Sequence, residues 1–265
     1  YDCLLDHWAQ LSEHQVTDLG GGSELTVAIT DLSGRFSINS LVESESTEED
    51  STAAGITAEE ARAVFLRLLL SGEFAIEDEQ QAEEISESLI DWLDADDNES
   101  GNGAEKEYYE TLEQPYAPRN GLMVTPNELL MVKGITPEIL YGNNEKRALA
   151  DYITVFGSGT GININTASPL VIKALDERIG DDEAELLVEY RQDQDVVDAL
   201  ENKDWYRTVH GWPGDIIIGT NSLVISSSYF LIEAQAVMNG NSMKVSAYIK
   251  RTGKEKVEIL YRTLE

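Results

Sequence analysis

Apolar positions follow two different rhythms along this chain. Between roughly residues 57 and 200 they recur at intervals of three and four. Ala61, Val64, Phe65, Leu68 and Leu69 form one stripe; Ala82, Ile85, Leu89, Trp92 and Leu93 form a second, as one face of an α-helix requires. Thr57-Ala-Glu-Glu ahead of the first stripe is a capping-box start. Shorter helical signals follow at Thr125–Val132, Glu138–Tyr141, Ala167–Leu175 and Asp182–Tyr190, with a short strand expected at Tyr152–Phe156 and a turn at Gly157–Gly161. From Phe230 onward the period drops to two. Phe230, Ile232, Ala234, Ala236 and Met238 alternate with polar residues, as do Val245, Ala247 and Ile249, then Val257, Ile259 and Tyr261. Asn239-Gly240-Asn241-Ser242 and Arg251-Thr252-Gly253-Lys254 supply the turns, so a three-stranded antiparallel meander with one buried face is expected.

Such a sheet needs a second layer. Leu4, Leu5, Trp8, Leu11 and Val16 have nearly helical spacing and predict the end of a longer amphipathic helix, broken by Gly20-Gly21-Gly22, that covers it. Leu25–Ile29 and Phe36–Ile38 read as short strands around the Asp31–Gly34 turn, and Glu43–Asp50 as a solvated loop of Glu, Ser and Thr. The fold class expected is α+β: a pilin-like N-terminal helix packed on an antiparallel sheet, with a large, mostly helical domain inserted between strands. The divisions expected are 1–55, 56–212 and 213–265.

Composition narrows the function. Nineteen basic residues against fifty acidic ones give a formal charge of −31 over 265 residues. Nucleic-acid affinity comes from Lys and Arg displacing counterions, which this balance opposes; high ionic strength or divalent cations would relieve its self-repulsion. Cys3 is the only cysteine, so an internal disulfide framework is excluded. No run of eighteen apolar residues occurs. The chain opens at Tyr1 rather than Met, as expected of a piece of a longer protein with any membrane anchor upstream.

The strongest chemical signal lies where the second stripe ends. Asp94, Asp96 and Asn98 stand at positions one, three and five of a loop, Ser100 at seven and Glu105 at twelve, the oxygen-ligand register of a calcium loop. Position six is Glu99 where an EF-hand has glycine. The expected ligands are the side chains of Asp94, Asp96, Asn98 and Glu105 and the Ser100 carbonyl; Asp91, Asp97, Glu99, Glu107 and Glu110 are further metal candidates. Carboxylate and carbonyl oxygens without His or Cys select a hard cation such as Ca²⁺. Catalytic motifs are missing: His7, His14 and His210 are scattered, no nucleophile elbow is present, and Gly157–Gly161 lacks the end of a phosphate loop. No enzyme and no small-molecule substrate are expected.

Three blocks carry a resemblance: Asp31-Leu-Ser-Gly-Arg-Phe-Ser-Ile-Asn-Ser-Leu; Leu89-Ile-Asp-Trp-Leu-Asp-Ala-Asp with Gly103-Ala-Glu and Tyr108-Tyr109; and Ile162-Asn-Ile-Asn-Thr-Ala-Ser-Pro, with Asn127-Glu-Leu-Leu-Met-Val-Lys-Gly-Ile-Thr-Pro between the last two. In this order the chain resembles the K-type minor pseudopilins of bacterial type II secretion systems. The resemblance implies a prepilin with an inner-membrane helix upstream and a periplasmic domain. It implies a place at the pseudopilus tip beside I-type and J-type minor pseudopilins, and calcium binding. The family is often acidic after Glu105, where this chain has Lys106, which weighs against a second ion. Partner contact is expected from Leu4, Leu5, Trp8 and Leu11. The alternative is a helix-hairpin-helix nucleic-acid binder, because Ile162–Pro169 and Lys133-Gly-Ile-Thr-Pro are similar to its hairpins; the only cations near the first, Lys173 and Arg178, sit among Asp176, Glu177, Asp181 and Asp182.

Overall fold

A computed structural model describes residues 1–11, 16–17, 24–43, 55–219, 221–238, 240–253 and 256–264. The expected glycine break at 20–22 and most of the Glu/Ser/Thr loop lie outside the described residues. The frame is an antiparallel sheet of four long strands with a short edge strand: β1 Val16–Thr17, β2 Glu24–Asp31, β7 Tyr229–Met238, β8 Asn241–Gly253 and β9 Lys256–Leu264, in the order β1-β2-β7-β8-β9. Strand β2 pairs directly with β7, from Glu24 opposite Val237 to Asp31 opposite Phe230. Residues 32–228 therefore leave the sheet at the end of β2 and return at the start of its neighbour.

That excursion is the helical region. It holds α1 Ala58–Leu69, α2 Glu79–Leu93, α3 Lys106–Glu110, α4 Pro137–Tyr141, α5 Pro169–Leu175 and α6 Asp181–Tyr190, joined by short 3-10 turns. Both long helices bury the expected stripes, and Thr57 closes a capping box: its hydroxyl accepts from the Glu60 amide (3.2 Å), and the Glu60 carboxylate from the Thr57 amide (3.1 Å). The strands expected at Phe36–Ile38 and Tyr152–Phe156 shrink to two residues each, β3 Phe36–Ser37 and β4 Ile153–Thr154, which pair in parallel. A second parallel pair joins β5 Ile162–Asn163 to β6 Leu223–Val224.

The junction between region and sheet is polar and buried. Asp31 accepts from the Ser33 amide (2.7 Å) and from the hydroxyls of Ser227 and Thr166 (both 2.5 Å). Burial holds the Asp31 carboxyl above the usual carboxylate range, although these bonds oppose the shift. Asp2 receives both terminal nitrogens of Arg251 (2.8 and 2.6 Å) and the Ser227 amide (2.7 Å), which ties the N-terminus to the end of β8.

The N-terminal helix is a correction. Leu4–Gln10 form consecutive turns, not the expected α-helix, and Leu11 stands in a 3-10 turn. The Asp6 carboxylate accepts from the Cys3 amide (2.9 Å) and the Trp8 indole (3.2 Å), local bonds that compete with a helical ladder. Cys3 is buried, and Trp8 sets its ring edge-on against Phe230 at 5.5 Å. Leu5 and Trp8 are thus half-buried on their own sheet, while Leu4 and Leu11 are exposed. No apolar helix face results.

The sheet consequently has two unlike sides. Glu233, Ser246, Tyr248, Tyr261 and Thr263 face the helical region, with Leu231, opposite Tyr248, in its core. Period two sends Ile232, Val245, Ile249, Val257 and Ile259 to the other side, where Val257 (63% exposed), Ile259 (62%) and Leu264 (68%) lie open.

Candidate metal centre

Helix α2 is fixed at its start by Asp78, whose carboxylate accepts from the Gln81 amide (2.9 Å), and it ends at Leu93 against a buried aromatic cluster. Trp92 lies edge-on to Tyr109 (5.4 Å) and Tyr116 (6.3 Å). The helix end carries partial negative charge from its last carbonyls, and the loop that follows adds carboxylates there instead of the cations that such an end favours. Something must offset that charge.

Four buried side-chain oxygens in this corner have no hydrogen-bond partner: Asp94 Oδ1, both carboxylate oxygens of Glu105, and Asn120 Oδ1. Glu105 is only 6% exposed. Buried polar atoms are nearly always satisfied, so four acceptor oxygens without a donor in one corner are a donor set that a cation or an ordered water would complete. Burial, then the charges of Asp91, Asp94 and Asp97, push the Glu105 carboxyl up to about 7. Burial, then Asp96 and Asp91, push Asp94 up to about 6. Burial also raises Asp91, whose carboxylate accepts from the Ser100 amide at 3.0 Å.

The expected ligands are distributed unevenly. Asp96 Oδ1 accepts from the Asn98 amide (2.8 Å) and the Asn98 side chain (2.6 Å), so these two face each other on the exposed rim. The Ser100 carbonyl accepts from the Gly103 amide at 2.7 Å. Asp97 is exposed and accepts from Asn120 Nδ2 at 3.3 Å. Glu99 and Glu107 are exposed, and Glu110 pairs with Lys106 across a turn of α3 at 3.6 Å. As they stand, no three His, Cys, Asp or Glu side chains among the described residues converge on one point. The donor set nevertheless fits Ca²⁺: Asp94 Oδ1 and both Glu105 oxygens are hard oxygen donors, buried and without a hydrogen-bond partner.

Sequence spacing missed Asn120. It lies fifteen residues beyond Glu105 and is the only non-glycine residue with positive φ (48°) among those described. That conformation turns its Nδ2 onto the Asp96 carbonyl (3.1 Å) while Oδ1 stays buried and unpartnered. The Asn120-Gly121 pair, a turn signal, was the available hint.

The raised carboxyls fix a sign. In the folded metal-free protein Asp94 and Glu105 hold protons more tightly than in the unfolded chain, whose values lie near 3.8 and 4.5. Their favourable contribution is complete below those values and is lost as pH rises through about 6 and 7. With chelator present, the melting temperature is expected to fall between pH 5 and pH 8; a profile that rises over that window would contradict the assignment.

The hairpin of the nucleic-acid alternative is buried instead of offered to solvent. Asn163 and Asn165 are fully enclosed, and Asn165 bonds the Leu200 carbonyl (3.1 Å) and the Trp205 indole (2.8 Å). Arg191, 3% exposed, donates to the Ile164 and Ala167 carbonyls, both at 2.6 Å. Lys173 pairs with Asp181 and Arg178 with Asp176. These residues pack short helices together.

Two family models described as type II secretion system protein K match, one over residues 34–157 and one over 162–206. The chain belongs to the type II secretion system protein K family. The first match contains the whole acidic loop, and the second the buried hairpin. A protein K from Pseudomonas aeruginosa is 27% identical over 264 residues, covering 98% of this chain and 71% of that protein. One from Pectobacterium carotovorum is 32% identical over 146 residues, 55% of this chain and 40% of that one. Among solved structures, the GspK-GspI-GspJ complex from enterotoxigenic Escherichia coli contains a chain with the same fold. It shows a TM-score of 0.70 and 17% identity, covering 100% of this chain and 86% of that one. The family is that of a minor pseudopilin, a structural and non-enzymatic component of the secretion system. Among the described residues no helix is long and apolar enough to cross a membrane.

Proposed function

We propose that this chain is the tip subunit of a periplasmic pseudopilus, joined there to I-type and J-type minor pseudopilins, and that it supports export of folded proteins across the outer membrane. The observation that carries the reading is the pairing of an open apolar sheet face with a bulky region on the other face. Val257, Ile259 and Leu264 form a surface suited to an apolar helix, either this polypeptide's own upstream segment or a neighbour's. Residues 32–228 project from the opposite side, a mass that a continuous filament of side-by-side helices has no room to bury. The complex of the related GspK with GspI and GspJ supports the choice of partners.

Leu4 and Leu11, exposed on the segment that Trp8 anchors to the sheet, extend this contact, with Leu5 and Trp8 supporting it from beneath. The upstream helix would anchor the protein in the inner membrane. Calcium, held by Asp94, Glu105 and Asn120 with Asp91, Asp96 and Asp97 nearby, would stabilise the helical region by supplying the positive charge that the buried oxygens lack. The side chains fix the donor atoms and keep water from the Glu105 carboxylate; the ion neutralises them.

Co-purification tests the assembly. The wild-type protein is expected to retain its I-type and J-type partners, and the double variant Val257→Asp, Ile259→Asp to lose them without a change in its own circular dichroism. Both positions are already solvent-exposed, so the substitutions cost the isolated fold little. Failure of the wild type to bind either partner would overturn the reading, and retention by the double variant would move the interface elsewhere.

A further inference from the structure

The cation loop is held from outside by one lysine that no carboxylate spacing points to. Lys133 lies between the 3-10 turn at Pro126–Met131 and α4, thirty residues beyond the loop's own turn. Its ammonium donates to the carbonyls of Asn102 (2.9 Å) and Gly103 (3.0 Å), pairs with Glu84 of α2 at 3.0 Å, and stands 5.1 Å from the centroid of the Tyr108 ring. All three N–H donors thus have an acceptor, and the methylene stem crosses from one helix to the next. The Lys133 amide also donates to the Tyr109 hydroxyl (3.3 Å), so backbone and side chain both grip the same corner.

The grip has a direction. The Asn102 amide donates to Glu87 at 2.6 Å while its carbonyl is taken by Lys133, so the backbone there is fixed on both sides. Gly103 lies so close to the Asp91 carboxylate that a Cβ would collide with it. Two residues further on, Glu105 stands at the N-cap position of α3 without a side-chain cap bond, and both its carboxylate oxygens lie buried without a partner. Holding the carbonyls at 102 and 103 therefore sets where the Glu105 carboxylate can sit.

We infer that Lys133 is a positioning residue for the cation site: it clamps the Asn102–Gly103 backbone against α2 and so holds Glu105 in place for a hard divalent or trivalent ion. This rests on the cation reading given above. Lys133 is no ligand, and its own charge repels the ion. Coulomb's law alone therefore predicts that removing it tightens binding. Loss of a supporting contact around metal ligands ordinarily weakens binding by about 10–100-fold. The two effects have opposite signs, which makes the experiment decisive.

Terbium is the probe: its emission, excited through the nearby Trp92, is titrated on the wild type and on Lys133→Met, with metal-free melting temperatures measured in parallel. The expected result is saturable binding by the wild type and an affinity lower by about tenfold or more in the variant. A lower melting temperature with unchanged or tighter affinity would assign Lys133 to packing alone and overturn the inference. Should the methionine variant not fold, Lys133→Gln carries the same test, because it keeps a donor to one carbonyl but loses the charge. If the wild type itself takes up no terbium, the cation reading fails; if wild type and folded variant bind alike, only the role of Lys133 fails.

Discussion

Calcium at about 100 times its dissociation constant is expected to stabilise this protein by about 2.7 kcal/mol, which raises its melting temperature by roughly 5–10 °C. The size follows from mass action, and the sign from the four buried oxygens around Asp94, Glu105 and Asn120 that no protein group satisfies. Magnesium should do less, since it releases its water reluctantly and demands tighter octahedral geometry than this loop offers. Glu105→Gln sharpens the prediction because it acts oppositely in the two states. Without metal at pH 8 the variant should melt higher than wild type, having lost a buried charge that Asp91, Asp94 and Asp97 repel. In saturating calcium it should melt lower, having lost a ligand. Scanning calorimetry of both proteins, with chelator and with calcium, reads all four values. The same order of melting in both conditions would contradict the site.

Trp92→Ala is expected to cost about 3–5 kcal/mol, read as a shift in the chemical denaturation midpoint at unchanged slope. Trp92 is 2% exposed and packs in a three-ring cluster with Tyr109 and Tyr116, whose rings meet it edge-on. Tyr116 is held in turn by its hydroxyl, which donates to the Met131 carbonyl at 2.7 Å. The indole nitrogen has no hydrogen-bond partner, so the loss is one of packing and cavity formation, not of a broken bond. The cavity would open at the last turn of α2, two residues before Asp94, and the calcium-induced rise in melting should shrink with it. Tyr141→Ala is the control: that ring is 55% exposed, and its removal should change stability by no more than about 0.5 kcal/mol. Equal costs at the two positions would mean that the aromatic cluster does not support the loop.

Long, strongly periodic elements were readable from the residues alone. The stripes of α1 and α2 appear where the spacing puts them and bury one face in the core. The three strands β7, β8 and β9 form the expected meander, but not its expected buried face: Val257 and Ile259 lie on the open side, and a register shift at Leu260 sends Tyr261 to the opposite side, against the helical region. Leu4–Leu11 have helical spacing but form turns, since Asp6 captures the Cys3 amide and Asp2 is drawn to Arg251. Strands β3 and β4 were legible as short strands, but their pairing, and the strands β5 and β6 altogether, were not: each pair is two residues long and joins segments far apart in sequence.

The acidic loop was visible as charge and spacing, whereas its arrangement was not. Glu99 stands where an EF-hand turns on glycine, and the positive φ occurs instead at Gly101 (52°), inside the Ser100–Gly103 turn. The turn takes the Ser100 carbonyl, and Asn98 folds onto Asp96. Two residues from outside the loop hold it: Asn120, through a left-handed backbone, reaches the Asp96 carbonyl and the Asp97 carboxylate, and Lys133 takes the Asn102 and Gly103 carbonyls, which no side-chain motif records.

Calorimetric titration of calcium into metal-free protein, run side by side with Asp94→Asn, tests the cation centre most directly. Saturable uptake by the wild type and its loss in the variant is the predicted pair of results. Absence of uptake by the wild type, or equal uptake by both, would show that the buried oxygens at the end of α2 hold no ion.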